Sequence, residues 1–93
     1  MPFNRPLDQL SFVSIDLETT GLVPGFDAIT EIGAARFSLR SDGAVVPGKT
    51  FDELVNPGRP ISAKVFEITG INDEMVENAR TIAQVIPDLL VYL

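Results

Sequence analysis

The stretch that decides the fold is SFVSIDLETTGL, Ser11 to Leu22. Over residues 12–17 it alternates: Val13, Ile15 and Leu17 point one way, and Phe12, Ser14 and Asp16 the other, which is the period of a strand with one buried face. Where the apolar side should continue, the chain instead places Asp16 and Glu18, then Thr19, Thr20 and Gly21. Residues i and i+2 share a strand face about 6.6 Å apart along the chain, so the two acids are expected to point the same way. Carboxylates that converge without a cation repel and resist ionisation. Oxygen donors alone suit Mg2+ or Mn2+. Sites of this kind can hold two ions that activate a water and stabilise the leaving oxygen in phosphodiester cleavage. The plainer reading is two solvated acids at a strand end, followed by turn residues. D-x-E by itself leaves both readings open.

Working outward, VPGFD (23–27) breaks the pattern as a loop. AITEIGAARFSL (28–39) reads as a second strand whose middle, Gly33-Ala34-Ala35, is small on both faces and allows close packing. SDG at 41–43 is a hairpin signal, and a third strand is best defined over KTFDELV, 49–55. The connections are short, so the three strands should form an antiparallel meander. After NPGRP (56–60) the period turns helical. Ser62 caps a short helix through about Ile68, with Gly70 just past its end. Asn72 caps a second, whose positive first turn suits Asp73 and Glu74; with Glu77 these acids read as a solvated helix face. Thr81-Ile82-Ala83-Gln84 is a capping-box pattern. It opens a helix with Ile82, Val85, Ile86, Leu89, Leu90 and Leu93 on one stripe, expected to cover one face of the meander. Pro87 inside it should kink the helix or split off its first turns.

The chain of 93 residues is one small domain at most, with 45% apolar residues for its core. No segment has the unbroken apolar length of a membrane span. Residues 1–10 read as a lead-in, irregular because of Pro2 and Pro6 and without the apolar core of a signal peptide. Cysteine is absent, which excludes disulfides and thiolate metal sites, and the default compartment is the cytoplasm. Net charge is −6, with seven scattered basic residues. A nucleic-acid partner must therefore be held locally or through cations. Histidine, the commonest general base near neutral pH, is also absent.

Four blocks in order, FVSIDLETTGL, ITEIGAARF, LVNPGRPIS and EITGINDEMV, resemble the DEDD superfamily of exonucleases, and within it the DnaQ-like 3′–5′ exonucleases. DLETTG is the most specific of the blocks, and the likeness runs from Phe12 to Leu93. The resemblance implies an α/β, ribonuclease H-like fold in which the acids end a central strand. It also implies hydrolysis of terminal nucleotides at a DNA 3′ end, with RNA as the other substrate class, and a DNA polymerase or helicase as partner. By the same resemblance Asp16 bridges two Mg2+ or Mn2+ ions, and Glu18 holds the ion that positions the attacking water. Thr19, Thr20 and Leu22 then help seat the terminal nucleotide, and Phe66, Ile68, Thr69 and Gly70 wall its base and sugar. Core packing is the competing reading for Phe66 and Ile68, and a helix end with its glycine cap for Thr69 and Gly70. Glu31, beside the pair, reads either as a group supporting it or, more simply, as a structural or solvent-facing acid. Tyr92 lies in the wrong segment for the family's general base.

The resemblance counts four acids and a histidine or tyrosine base, and this sequence supplies the first two acids. On that reading residues 1–93 are the N-terminal part of an exonuclease domain, truncated before the remaining strands. The chain alone is then expected to bind its ions weakly and to have little or no activity, since a general base is worth about 10²–10⁴-fold. The alternative is a non-catalytic nucleic-acid-processing assembly module on the same fold, including self-association through the unfinished sheet.

Overall fold

The computed structural model describes residues 6–93. The part of the lead-in that contains Pro2 lies outside the described residues. Pro6 is followed by a single 3-10 turn, Leu7–Gln9, where the sequence reading expects no regular structure.

Three strands come next, β1 (Ser11–Thr19), β2 (Ile29–Leu39) and β3 (Val45–Leu54). They pair antiparallel in the order β1-β2-β3, the meander that the short connections dictate. The turn before β3 is set by Asp42, whose side chain accepts from the Ala44 amide at 2.9 Å. β3 begins earlier than KTFDELV suggests and runs through Pro47. It can do so because it is an edge strand, and the pairing slips between Ala35 and Phe37, with Pro47 facing Phe37; edges and bulges are where a strand tolerates proline.

The helices start where their caps place them. Ser62 accepts from the Val65 amide at 3.2 Å and opens α1 (Ala63–Thr69), which Gly70 ends at φ 73°. Asn72 accepts from the Met75 amide at 2.9 Å and opens α2 (Asp73–Val76). The Gln84 side chain accepts from the Thr81 amide at 2.9 Å at the start of α3 (Ile82–Tyr92). Pro87 does not split α3, which runs through it as one helix. The helix is fastened to the sheet at both ends. Arg80, just ahead of α3, bridges Glu53 and Asp88 at 2.9 Å each. At the far end Arg36 donates to the Tyr92 carbonyl, and the Tyr92 hydroxyl donates to the Lys49 carbonyl at 2.6 Å. One lost backbone bond does not undo an element tied at both ends.

The main core is the contact of α3 with β2 and the end of β3. Ile32, Val55 and Val85 are fully buried there, with Ile29, Phe51 and Leu89 packed around them. A second cluster, Ile61, Ile71 and Val76 with Leu54, Val65 and Ala79, folds α1 and α2 against the end of β3. Asp73 takes part by accepting from the Ile61 amide at 2.8 Å, so it is more than a solvated acid. The α3 stripe is only half used: Val85 is buried, whereas Leu90 is 65% exposed. The reason is placement. α3 lies over β2 and β3, and β1, expected as a central strand, is the edge of this three-stranded sheet. Its Ile15 and Leu17, expected to face the core, stay half exposed.

Candidate active site

Register decides what the sheet carries on its two faces. Leu17, Ile32 and Glu53 form one row across the three strands, on the α3 side. The rows on the other side are Ser14–Ala35–Thr50, Asp16–Gly33–Asp52 and Glu18–Glu31–Leu54. Asp16 and Glu18 therefore share a face, as their spacing predicts, and β2 and β3 bring Glu31 and Asp52 onto it. Directly opposed residues stand about 4.5–5.5 Å apart at Cβ, and like charges so placed are unfavourable. Gly33 puts no side chain between Asp16 and Asp52. The floor is a depression of about 370 Å³ that includes Ser14, Asp16, Gly33, Ala35, Thr50 and Asp52.

The crowding shows at Glu31, whose carboxyl is pushed up to about 7 from an ordinary 4.5. The first cause is a hydrogen bond to Asp52, in which the protonated Glu31 carboxyl donates. Partial burial follows, then the negative charges of Asp52, Glu18 and Asp16. Glu31 is thus partly protonated near neutral pH and held against Asp52, which is more than a plain surface charge. Asp52 is the member that sequence reasoning missed; its signal, the alternation within KTFDELV, becomes readable only once the register is known.

No set of three or more acids among the described residues is grouped to hold a metal ion. The donor set is two adjacent carboxylates on an open face. It fits part of the oxygen shell of a divalent cation, and the charge that such an ion would neutralise is a minor contributor to the raised Glu31 carboxyl, behind the Asp52 hydrogen bond and burial.

The residues expected to seat a nucleotide divide into three groups. Thr69 and Gly70, at the end of α1, line a depression of about 840 Å³ together with Glu31 and Asp52, and so stand beside the acids. Thr19 and Leu22 line a different, mostly apolar cavity of about 530 Å³ with Val23, Ile29, Pro57 and Ile82. Leu22 is 95% exposed, and Thr19 donates to the Gly21 carbonyl at 2.7 Å. Thr20 is buried with its hydroxyl engaged inside the loop. Phe66 and Ile68 are exposed and belong to neither core cluster, which removes core packing as their explanation without bringing them to the acids. Tyr92 sits on the α3 side, its ring under the Arg36 guanidinium at 5.4 Å.

Comparison with known proteins agrees with this arrangement. The profile of the exonuclease family matches residues 13–93. The chain is 41% identical over 93 residues to a DNA polymerase III PolC-type of Thermotoga petrophila, covering 100% of this chain and 6% of that protein. It is 51% identical over 81 residues to a DNA polymerase III subunit epsilon-like protein of Rhodobacter capsulatus, covering 86% of this chain and 11% of that protein. The chain thus spans a small part of the curated relatives it matches. A solved structure of exonuclease X in complex with 5′ overhanging duplex DNA superposes with a TM-score of 0.63 at 32% identity, over 83% of this chain and 42% of that one. The sheet and helices are those of the ribonuclease H-like exonuclease fold.

Proposed function

The chain belongs to the exonuclease family, and we propose that it supplies the first two acids of a metal-dependent 3′–5′ exonuclease centre that hydrolyses terminal nucleotides from DNA. The observation that carries this is the acid face: Asp16 and Glu18 share one face of β1, and the register brings Glu31 and Asp52 onto the same face of the sheet. Bound Mg2+ or Mn2+ would supply Lewis-acid charge and a nucleophilic water at neutral pH. Asp16 would hold both ions and Glu18 the one nearer the attacking water. Gly33 leaves open space beside Asp16 for a phosphate to approach. Thr69 and Gly70 line the neighbouring depression, which shares Asp52 with the one at Asp16, and would meet the sugar and base of the terminal nucleotide; Leu22, exposed on the loop beside a different cavity, would have to reach it from there. Without bound cations this face repels nucleic acid, in keeping with the net charge of −6.

The relatives' names, DNA polymerase III PolC-type and DNA polymerase III subunit epsilon-like protein, favour DNA as substrate and a DNA polymerase as partner. No helix among the described residues is long and apolar enough to cross a membrane. The half-exposed apolar face of β1 beside its free edge also favours an assembly role. Light scattering that shows a concentration-independent monomer would remove that role.

The test is release of labelled mononucleotide from 3′-labelled single-stranded DNA with Mg2+ or Mn2+, by the chain and by the polypeptide its reading frame encodes. The expected result is little release by the 93-residue chain. The full product should release label, with a loss of about 10³-fold in Asp16→Ala, as for removal of a group that stabilises transition-state charge. Degradation that survives Asp16→Ala, or an inactive full product, contradicts the proposal. The same assay with an RNA strand decides the substrate class.

A further inference from the structure

The loop that follows the acids is closed by backbone bonds, including the Phe26 and Asp27 amides to the Val23 carbonyl at 3.1 and 2.8 Å, and by one carboxylate. The Thr20 amide donates to the Ala28 carbonyl at 2.8 Å, and the Ala28 amide donates back to the Thr20 hydroxyl at 3.0 Å. That hydroxyl in turn donates to Oδ1 of Asp27 at 2.8 Å, and the Val23 amide donates to Oδ2 at 2.8 Å. Both oxygens of Asp27 are therefore used, and the buried Thr20 hydroxyl serves as donor and acceptor at once. The Val23 amide first, then the Thr20 hydroxyl, hold the Asp27 carboxyl below its usual range.

Gly21 shows how close the carboxylate lies. Its backbone is not in the left-handed region, so no turn geometry demands glycine. A Cβ there would sit 2.5 Å from Oδ2 of Asp27, so any side chain at 21 displaces the carboxylate. The loop also follows Glu18 directly in the chain. The β1–β2 pairing slips between Glu18 and Thr19, and such irregularities re-aim side chains next to sites. What the loop displays is Leu22, almost wholly solvent-exposed.

We propose that Asp27 is a positioning residue: its carboxylate locks Thr20 to Val23 and so preforms the segment joined to Glu18 before a nucleic-acid 3′ end arrives. The proposal rests on the exonuclease reading. Asp27→Asn keeps the shape but offers one oxygen to two donors. Gly21→Ala keeps the carboxylate but removes its room. If either leaves the loop closed about a tenth of the time, apparent affinity falls about tenfold. The sign is diagnostic, because removing a negative charge from an acidic chain would by itself tighten nucleic-acid binding.

The experiment measures binding of a short 5′-labelled single-stranded DNA with a free 3′-hydroxyl, with Ca2+ in place of Mg2+ so that no cleavage intervenes. It is run alongside hydrogen exchange at the Val23 amide. Asp27→Asn and Gly21→Ala are each expected to weaken binding about tenfold and to speed Val23 exchange by at least as much, while circular dichroism shows both folded. Asp42→Asn, which removes the same charge from the β2–β3 turn, should not weaken it. Fast Val23 exchange in both variants with unchanged oligonucleotide binding overturns the positioning role alone, and so does undisturbed Val23 exchange in both. Wild-type chain that binds no oligonucleotide under any divalent ion overturns the positioning role, whereas the exonuclease reading falls only if the full product also releases no label.

Discussion

One residue step along β1 separates Leu17 from Asp16, and the two head opposite kinds of row. Leu17, Ile32 and Glu53 cross the sheet under α3, whereas Asp16, Gly33 and Asp52 cross it on the open side. The backbone is the same in both rows. On the α3 side, Ile32 is 1% exposed and meets Val55 and Val85. On the other, a hydrogen bond to Asp52, partial burial and the neighbouring carboxylates push the Glu31 carboxyl up to about 7. The difference shows how a small sheet divides its work: one face supplies folding free energy, and the other gathers carboxylates whose mutual repulsion opposes folding. β1 shares in both but is held firmly by neither, since Leu17 in the same row as Ile32 is 47% exposed.

The strongest way to break the comparison is at Ile32. Ile32→Ala should cost about 2–5 kcal/mol, read as a drop in the urea midpoint; a cost below about 1 kcal/mol would mean that the α3 face is not the core. The acid face should answer with the opposite kind of effect. Folded Glu31 holds its proton up to about 7, and the unfolded chain releases it near 4.5. The native state therefore binds more protons across that window, and stability from this group is present below it and lost as pH rises through about 7. Urea midpoints in EDTA should fall between pH 5 and pH 8, and Glu31→Gln should flatten that fall; an equal slope in the variant would remove the crowding. The smallest effect belongs to Leu17→Ala, about 1 kcal/mol or less, because roughly half of its surface is already in water. A cost equal to that of Ile32→Ala would show β1 to be covered in solution.

Much of this was legible in the sequence. Alternation in 12–17 gave β1, the short connections gave the meander, and Ser62, Asn72 and Thr81 marked helix starts that the structure keeps. The shared face of Asp16 and Glu18 followed from strand period alone. What stayed hidden depends on distant partners. Glu31 and Asp52 join the pair through a register that the Ala35–Phe37 slip helps set, and no local pattern encodes that. Asp27 read as one residue of a loop-breaking VPGFD, since its bonds to Thr20 and Val23 exist only when the loop is closed. The α3 stripe predicted full cover, but an amphipathic pattern shows which side of a helix is apolar and not how much sheet lies beneath it. Pro87 was weighed by its local cost, and the ties at Arg80, Arg36 and Tyr92 outweigh it.

The central claim is that Asp16 and Glu18 form a divalent-cation site on the open face of β1. Titration of the chain with Mn2+, followed by electron paramagnetic resonance of the free ion, tests it directly. Weak binding by the wild type that disappears in Asp16→Asn and in Glu18→Gln, and persists in Ile15→Thr on the opposite face, is the predicted result. Mn2+ affinity unchanged in the Asp16→Asn, Glu18→Gln double variant would contradict it.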